Sequence, residues 1–80
     1  MEVDMAKPSL AGRRMNIVTE RTRRGMSQEA LAAALHVHWN SVVSWESGRV
    51  MPDGKHLLAL SEFFDCDPAY LMERAGDKGA

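Results

Sequence analysis

The chain has 80 residues, 45% of them hydrophobic and 26% charged, and a formal net charge of −1. That length bounds it to one domain, near the size at which a single core just suffices, and no apolar run approaches the roughly 20 residues that span a bilayer. The single cysteine, Cys66, excludes an internal disulfide framework.

The N-terminal stretch "MEVDMAKPSL" carries acids where a signal peptide carries bases, and it lacks an apolar segment. A cytoplasmic protein is expected, with residues 1–8 as a flexible arm and residues 9–74 as the folded domain. Valine, isoleucine and threonine never alternate over a strand's length, so the expected fold is all-α, a compact domain of five helices. Ser9 is a candidate cap for the first helix, and Gly25 is well placed as the residue after its end. The apolar positions of that helix, Leu10, Ala11, Ile17 and Val18, make a weak stripe among many arginines.

Ser27 caps a second helix, "QEALAAAL", whose alanines have the highest helix propensity. Leu31, Ala34 and Leu35 give it an apolar face at i, i+3 and i+4. Only His36 and Val37 separate it from the next element. His38 then stands where a serine or threonine cap is usual, residues 39–47 form a third helix, and Gly48 ends it. On a wheel of 100° per residue, Trp45 pairs with Val42, and Asn40, Ser44 and Ser47 fall on the opposite side with Val43 beside them. Trp39 sits at the border.

"RVMPDG" reads as a loop, with Pro52 forcing an extended approach. Asp53 caps a fourth helix, "GKHLLALSEFF", in which Leu57, Leu60 and Phe64 recur at helical spacing. Asp67 with Pro68 forms a cap followed by a proline at the first helical position, the start of a short fifth helix, "PAYLMER". Residues 75–80 read as a tail or the start of a linker. Cys66, in "FFDCDP", has no base beside it and reads as a small buried hydrophobe, with a reactive thiol as the alternative.

The charge is polarised along the chain. Residues 7–55 sum to +4 and residues 56–80 to −3, which fits a polyanionic partner on one side or a solvated charged surface. His36 and His38 are two apart at a turn, with no further ligand at metal-site spacing, so no metal is expected. No nucleophile–base–acid set, glycine-rich phosphate loop or paired carboxylate appears. No enzyme, no cofactor, no small-molecule ligand and no membrane partner are expected.

The second and third helices are joined by a turn too short for them to run antiparallel side by side. That is the helix-turn-helix arrangement, which pushes one face of the third helix outward, ready for a DNA major groove. From about Leu10 to Glu73 the chain resembles the lambda-repressor-like helix-turn-helix family (Cro and CI type, XRE), and within it the N-terminal domains of lambdoid phage immunity repressors. "MSQEALAAALHVHWNSVVSWESG" follows the family's Ser-Gln-Glu-x-Leu-Ala opening. Leu31, Leu35, Val37, Val42 and Trp45 stand at its apolar positions and Ala32 at its small one. "SWESG…MPDGKHLLALSEFFDCDPAYLM" is similar to the stretch that follows the recognition helix in phage repressors. Three positions depart from the pattern: His36 replaces the usual turn glycine, His38 the usual cap, and Glu20 a frequent leucine, so the packing of the first helix is expected to be partly polar.

The resemblance implies a sequence-specific regulator of transcription, a repressor that binds an inverted-repeat operator in double-stranded DNA as a homodimer. It also implies a pairing of Arg21 with Glu46 between the first helix and the end of the third. Base readout is expected from Trp39, Asn40, Ser41 and Ser44, with Asn40 bidentate to adenine. Phosphate contacts are expected from Gln28, where the dipole of the second helix favours an anion, and from Arg49, Lys55, Arg13 and Arg14. Trp39 alternatively packs partly against the second helix or a partner subunit. Phe63, Tyr70, Leu71 and Met72 supply either an apolar dimer patch or the core, with the core preferred for Leu71 and Phe64. A different class of function, a protein-interaction module built on the helix-turn-helix surface such as an antitoxin, remains open on exposed Val43 and Trp39 and a near-neutral charge.

Overall fold

A computed structural model describes residues 12–75 of the chain. Five helices follow one another: α1 (Met15–Arg23), α2 (Gln28–Leu35), α3 (Trp39–Ser47), α4 (Gly54–Phe64) and α5 (Pro68–Met72). Among the described residues there is no strand, and the fold is all-α as expected.

The helix ends follow local chemistry. The Ser27 hydroxyl accepts the amide of Ala30 at 2.9 Å, and the Asp53 carboxylate that of His56 at 3.0 Å. Asp67 accepts Ala69 N–H at 2.9 Å, with Pro68 in the first turn. At α3 the cap is an imidazole: His38 Nδ1 accepts Asn40 N–H at 3.0 Å. These side chains take up amide donors that a helix start leaves unpaired. α2 ends at His36 in the left-handed region, φ +59, where L-residues are strained. The turn therefore keeps the backbone that glycine usually supplies and tolerates an imidazole in its place.

Two ends differ from the sequence-based expectation. α1 begins at Met15, because Gly12 has φ +82 and Arg14 leaves helical geometry at φ −90, ψ 77. Ser9, Leu10 and Ala11, as well as the expected arm over 1–8, lie outside the described residues. α5 stops at Met72, where Glu73 turns extended. Ala75 is no free tail residue: its carbonyl accepts Gly12 N–H and its amide donates to Arg13 O, both at 2.8 Å. Residues 76–80 lie outside the described residues.

The core gathers one or two residues from each helix: Ile17, Leu31, Ala32, Val42, Trp45, Leu60, Phe64 and Leu71 are all buried. Met26, Leu35, Val37, Cys66 and Tyr70 pack around it, partly exposed. Leu71 and Phe64 thus belong to the core, while Phe63 stands 41% exposed. Cys66 lies half-buried, donating weakly to Phe64 O at 3.4 Å. Its thiol pKa is raised, first by burial and next by the Glu20 carboxylate, which keeps it from being a reactive thiolate.

Glu20 shows why a carboxylate can sit at an apolar position of α1. It is 3% exposed, and its oxygens accept Arg24 Nη1 at 2.7 Å and the Tyr70 hydroxyl at 2.8 Å. Arg23 adds a contact at 3.1 Å. Arg24 also donates to Phe64 O at 3.0 Å and lies over the Phe64 ring at 4.9 Å. The Arg24 and Tyr70 bonds, in that order, hold the Glu20 pKa below its ordinary value, and the bond to Glu20 in turn raises that of Tyr70. A satisfied charge network thus joins α1 to the end of α4 and to α5 where an apolar contact would otherwise stand.

Candidate nucleic-acid interface

α3 presents two faces. Val42, Trp45 and Glu46 point inward and are 0%, 3% and 1% exposed. In the first turn Trp39 and Asn40 are exposed, while Ser41 and Val43 are half-buried. Trp45 stacks at a tilt on His56, ring centres 5.4 Å apart. The two tryptophans thus divide between core and surface, as their six-residue separation on a helix requires.

Ser44 departs from the wheel. The wheel sets it on the side away from the Val42–Trp45 pair, yet it is buried. The chain after Gly48 folds back over it: Arg49 N–H and Val50 N–H both donate to Ser44 O, at 3.1 and 3.3 Å, and Arg49 Nη2 donates to the Ser44 hydroxyl at 3.0 Å. That reversal depends on Gly48, with φ +86. A side chain there would also collide with the carbonyl of Gly12.

The structure brings Arg21 and Glu46 together across α1 and α3. Arg21 Nε donates to Glu46 Oε2 at 2.6 Å and Nη2 to Oε1 at 3.1 Å. Arg21 Nη1 reaches the Met26 carbonyl at 2.8 Å. Gln28, nominated for phosphate, donates Nε2 to Glu46 Oε1 at 2.9 Å. Its amide side chain is therefore held at the start of α2 by the same carboxylate that anchors α3. No pattern in the sequence points to this third partner. Gln28 and Glu46 are far apart in the chain, and only the crossing of α2 over α3 makes them neighbours.

The four nominated cations separate into two groups. Arg49 and Lys55 are exposed, one after the end of α3 and one in the first turn of α4, and Arg13 is half-buried. Arg14 is not a surface cation. It is 4% exposed and its Nη1 donates to the carbonyls of Trp45 and Val50, each at 3.1 Å. Its backbone continues into α1 directly beside the end of α3, which turns the side chain inward. Asp53 sits next to Lys55 with its pKa lowered, chiefly by the His56 backbone N–H. Its carboxylate also meets His56 Nδ1 at 2.9 Å.

Among the described residues no three His, Cys, Asp or Glu side chains are grouped to hold a metal ion. No described helix is long and apolar enough to cross a membrane.

The sequence pattern of a family described as "Helix-turn-helix" matches residues 17–71, which takes in all of α2, α3 and α4. The HTH-type transcriptional regulator DicA of Escherichia coli (strain K12) is 40% identical over 52 residues. That alignment covers 65% of this chain and 38% of DicA, so the chain spans well under half the length of this curated relative. No solved structure matches the chain. With the match running through most of the chain and five helices around a short α2–α3 turn, the chain belongs to the lambda-repressor-like (XRE) helix-turn-helix family.

Proposed function

We propose that this chain is a sequence-specific, double-stranded-DNA-binding regulator of transcription, a repressor that places α3 in the major groove as a homodimer on an inverted repeat. One observation carries the reading. α3 is locked to the protein along its inner face by Val42, Trp45 and the Glu46 ion pair, while Trp39 and Asn40 stand exposed in its first turn. A helix held rigidly with the side chains of its first turn facing out is what base readout in a groove requires. The family membership and the regulator role named for DicA support the same reading.

In this reading Asn40 pairs with an adenine edge, Trp39 packs on thymine methyl groups or sugar, and Ser41 supplies a weaker contact. The Ser44 hydroxyl orients Arg49 rather than meeting a base. Arg49, Lys55 and Arg13 meet phosphates, as do the first-turn amides of α2 beside Gln28. Two copies then read half-sites about one helical turn apart.

Selection from a randomised duplex library with the purified chain, at about 50 and 200 mM salt, tests the proposal. Enrichment of an inverted repeat, with retention falling steeply at the higher salt, is the expected result. A second reading rests on the exposed apolar side chains Trp39, Val50 and Met51, at 42%, 49% and 62%, which suit a protein partner instead. Retention that is unselective and insensitive to salt would favour that reading.

A further inference from the structure

The loop after α3 and the segment before α1 meet at one buried guanidinium. Arg14 N–H donates to Glu46 O at 2.9 Å, and Nη1 donates to both Trp45 O and Val50 O. The last carbonyls of a helix have no intrahelical partner. Here Glu46 O finds its partner in Arg14 N–H, while Trp45 O, which already accepts Gly48 N–H at 3.2 Å, takes a second bond from the guanidinium. The Val50 bond is different in kind, because it ties the returning loop to the same guanidinium that ties the helix. Segment 12–14 is itself held from behind by the two backbone bonds to Ala75 and pressed against Gly48.

The arrangement is costly for stability alone. Burial and then the charge of Arg74 lower the Arg14 pKa, and among the described residues its Nε finds no hydrogen-bond partner. Among the described residues its side-chain bonds go to carbonyl oxygens, with no carboxylate to balance the charge. An apolar side chain would avoid the cost of burying the charge, but it would give up the bonds to Trp45 O and Val50 O. What an apolar group cannot do is fix the distance between the end of α3 and the loop that carries Arg49.

From this we infer that Arg14 is a positioning residue for DNA reading, which sets the register between the base-reading turn of α3 and the phosphate contact at Arg49. The inference rests on the proposed role of α3. Phosphate contacts fix the orientation of a protein on the duplex, and base contacts specify only once that register is right. The two N–H groups of Nη1, fixed in the guanidinium plane, hold two carbonyls at a set separation, and the charge also suits the negative end of α3. Arg14 therefore acts on specificity without touching DNA.

The test compares wild type, Arg14→Met and Arg14→Lys by fluorescence anisotropy, on the selected operator and on a scrambled duplex, across a salt series. Arg14→Met is expected to lose about tenfold or more in operator affinity, a loss of the size of one good base contact. Its affinity for the scrambled duplex and its salt slope are expected to stay as in wild type. Arg14→Lys, which keeps a cation with three donors, is expected to recover most of the operator preference. An equal loss on both duplexes with the salt slope lowered by about 1, the mark of a phosphate contact, would overturn the inference. So would an unchanged operator preference in Arg14→Met. Should Arg14→Met not fold, NMR couplings across the hydrogen bonds from Arg14 Nη1 to Trp45 and Val50 decide the matter in wild type. Their persistence in the operator complex supports positioning, and their loss to phosphate overturns it. A wild type that prefers no sequence removes the reading of α3 itself, and the role of Arg14 with it. A selective wild type with an equally selective Arg14→Met removes only the latter.

Discussion

Arg21 and Glu46 form a two-pronged ion pair, 2.6 and 3.1 Å long, in which the carboxylate is 1% exposed and the arginine side chain 12%. The pair fastens the end of α3 to α1 at the point where the core residue Trp45 already holds it. Gln28 completes the carboxylate's shell.

Removing one member leaves the other buried and uncompensated. Glu46→Leu or Arg21→Met alone is expected to destabilise the fold by about 3–5 kcal/mol, whereas the two replacements together should restore much of that loss. Urea denaturation of the two single variants and the double variant gives the coupling directly. Additive losses in the double variant would mean that the pair does not act as a unit.

Glu20 makes stability depend on acid. Its folded pKa lies below that of the unfolded chain because Arg24 and then Tyr70 hold the carboxylate charged. Its contribution is thus complete above the unfolded glutamate value of about 4.3 and disappears as pH falls from there through the folded value. Thermal denaturation of wild type and Glu20→Gln is expected to differ most near neutral pH and to converge as the pH falls below about 4.3 and through the lower folded value. Asp53 is depressed too, but it is common to both proteins, so the difference between them isolates Glu20. Tyr70→Phe, which deletes the 2.8 Å bond to that carboxylate, should cost about 1.5–3 kcal/mol.

His36 occupies a left-handed backbone position. His36→Gly is expected to stabilise the protein by about 1 kcal/mol by relieving that strain. For a domain of this size that corresponds to a rise of roughly 4–8 °C in Tm. A fall in Tm would show that contacts of the imidazole outweigh the backbone strain.

Two substitutions separate reading from anchoring on DNA. Asn40→Ala should relax the preference at one base pair by about 1–3 kcal/mol while leaving affinity for a scrambled duplex unchanged. Arg49→Ala should weaken binding to all duplexes alike and lower the salt slope by about 1. Binding to immobilised duplexes of single-base variants measures both effects. If Asn40→Ala keeps its base preference, readout lies elsewhere on α3.

Much of the architecture was legible in the residues. Ser27, Asp53 and Asp67 each announce a helix start because a cap acts within three residues of itself, whereas the imidazole cap of His38 is a finding of the structure. Leu31, Val42, Trp45, Leu60 and Leu71 follow helical spacing into one core. The place of the recognition helix follows from the short turn between α2 and α3, which leaves few ways to cross them. What the sequence could not decide is where long side chains end. Arg14 and Arg49 have the same chemistry, yet one is buried under the end of α3 and the other is exposed. Ser44 lies outside on a wheel and inside in the fold, because the loop after Gly48 returns over it. Gln28 meets Glu46 only through the crossing of two helices. Local capping and periodicity are properties of a few consecutive residues and are written in the sequence. The destination of a flexible charged side chain depends on which distant carbonyls and carboxylates come within about 3 Å of it, and only the tertiary structure sets that.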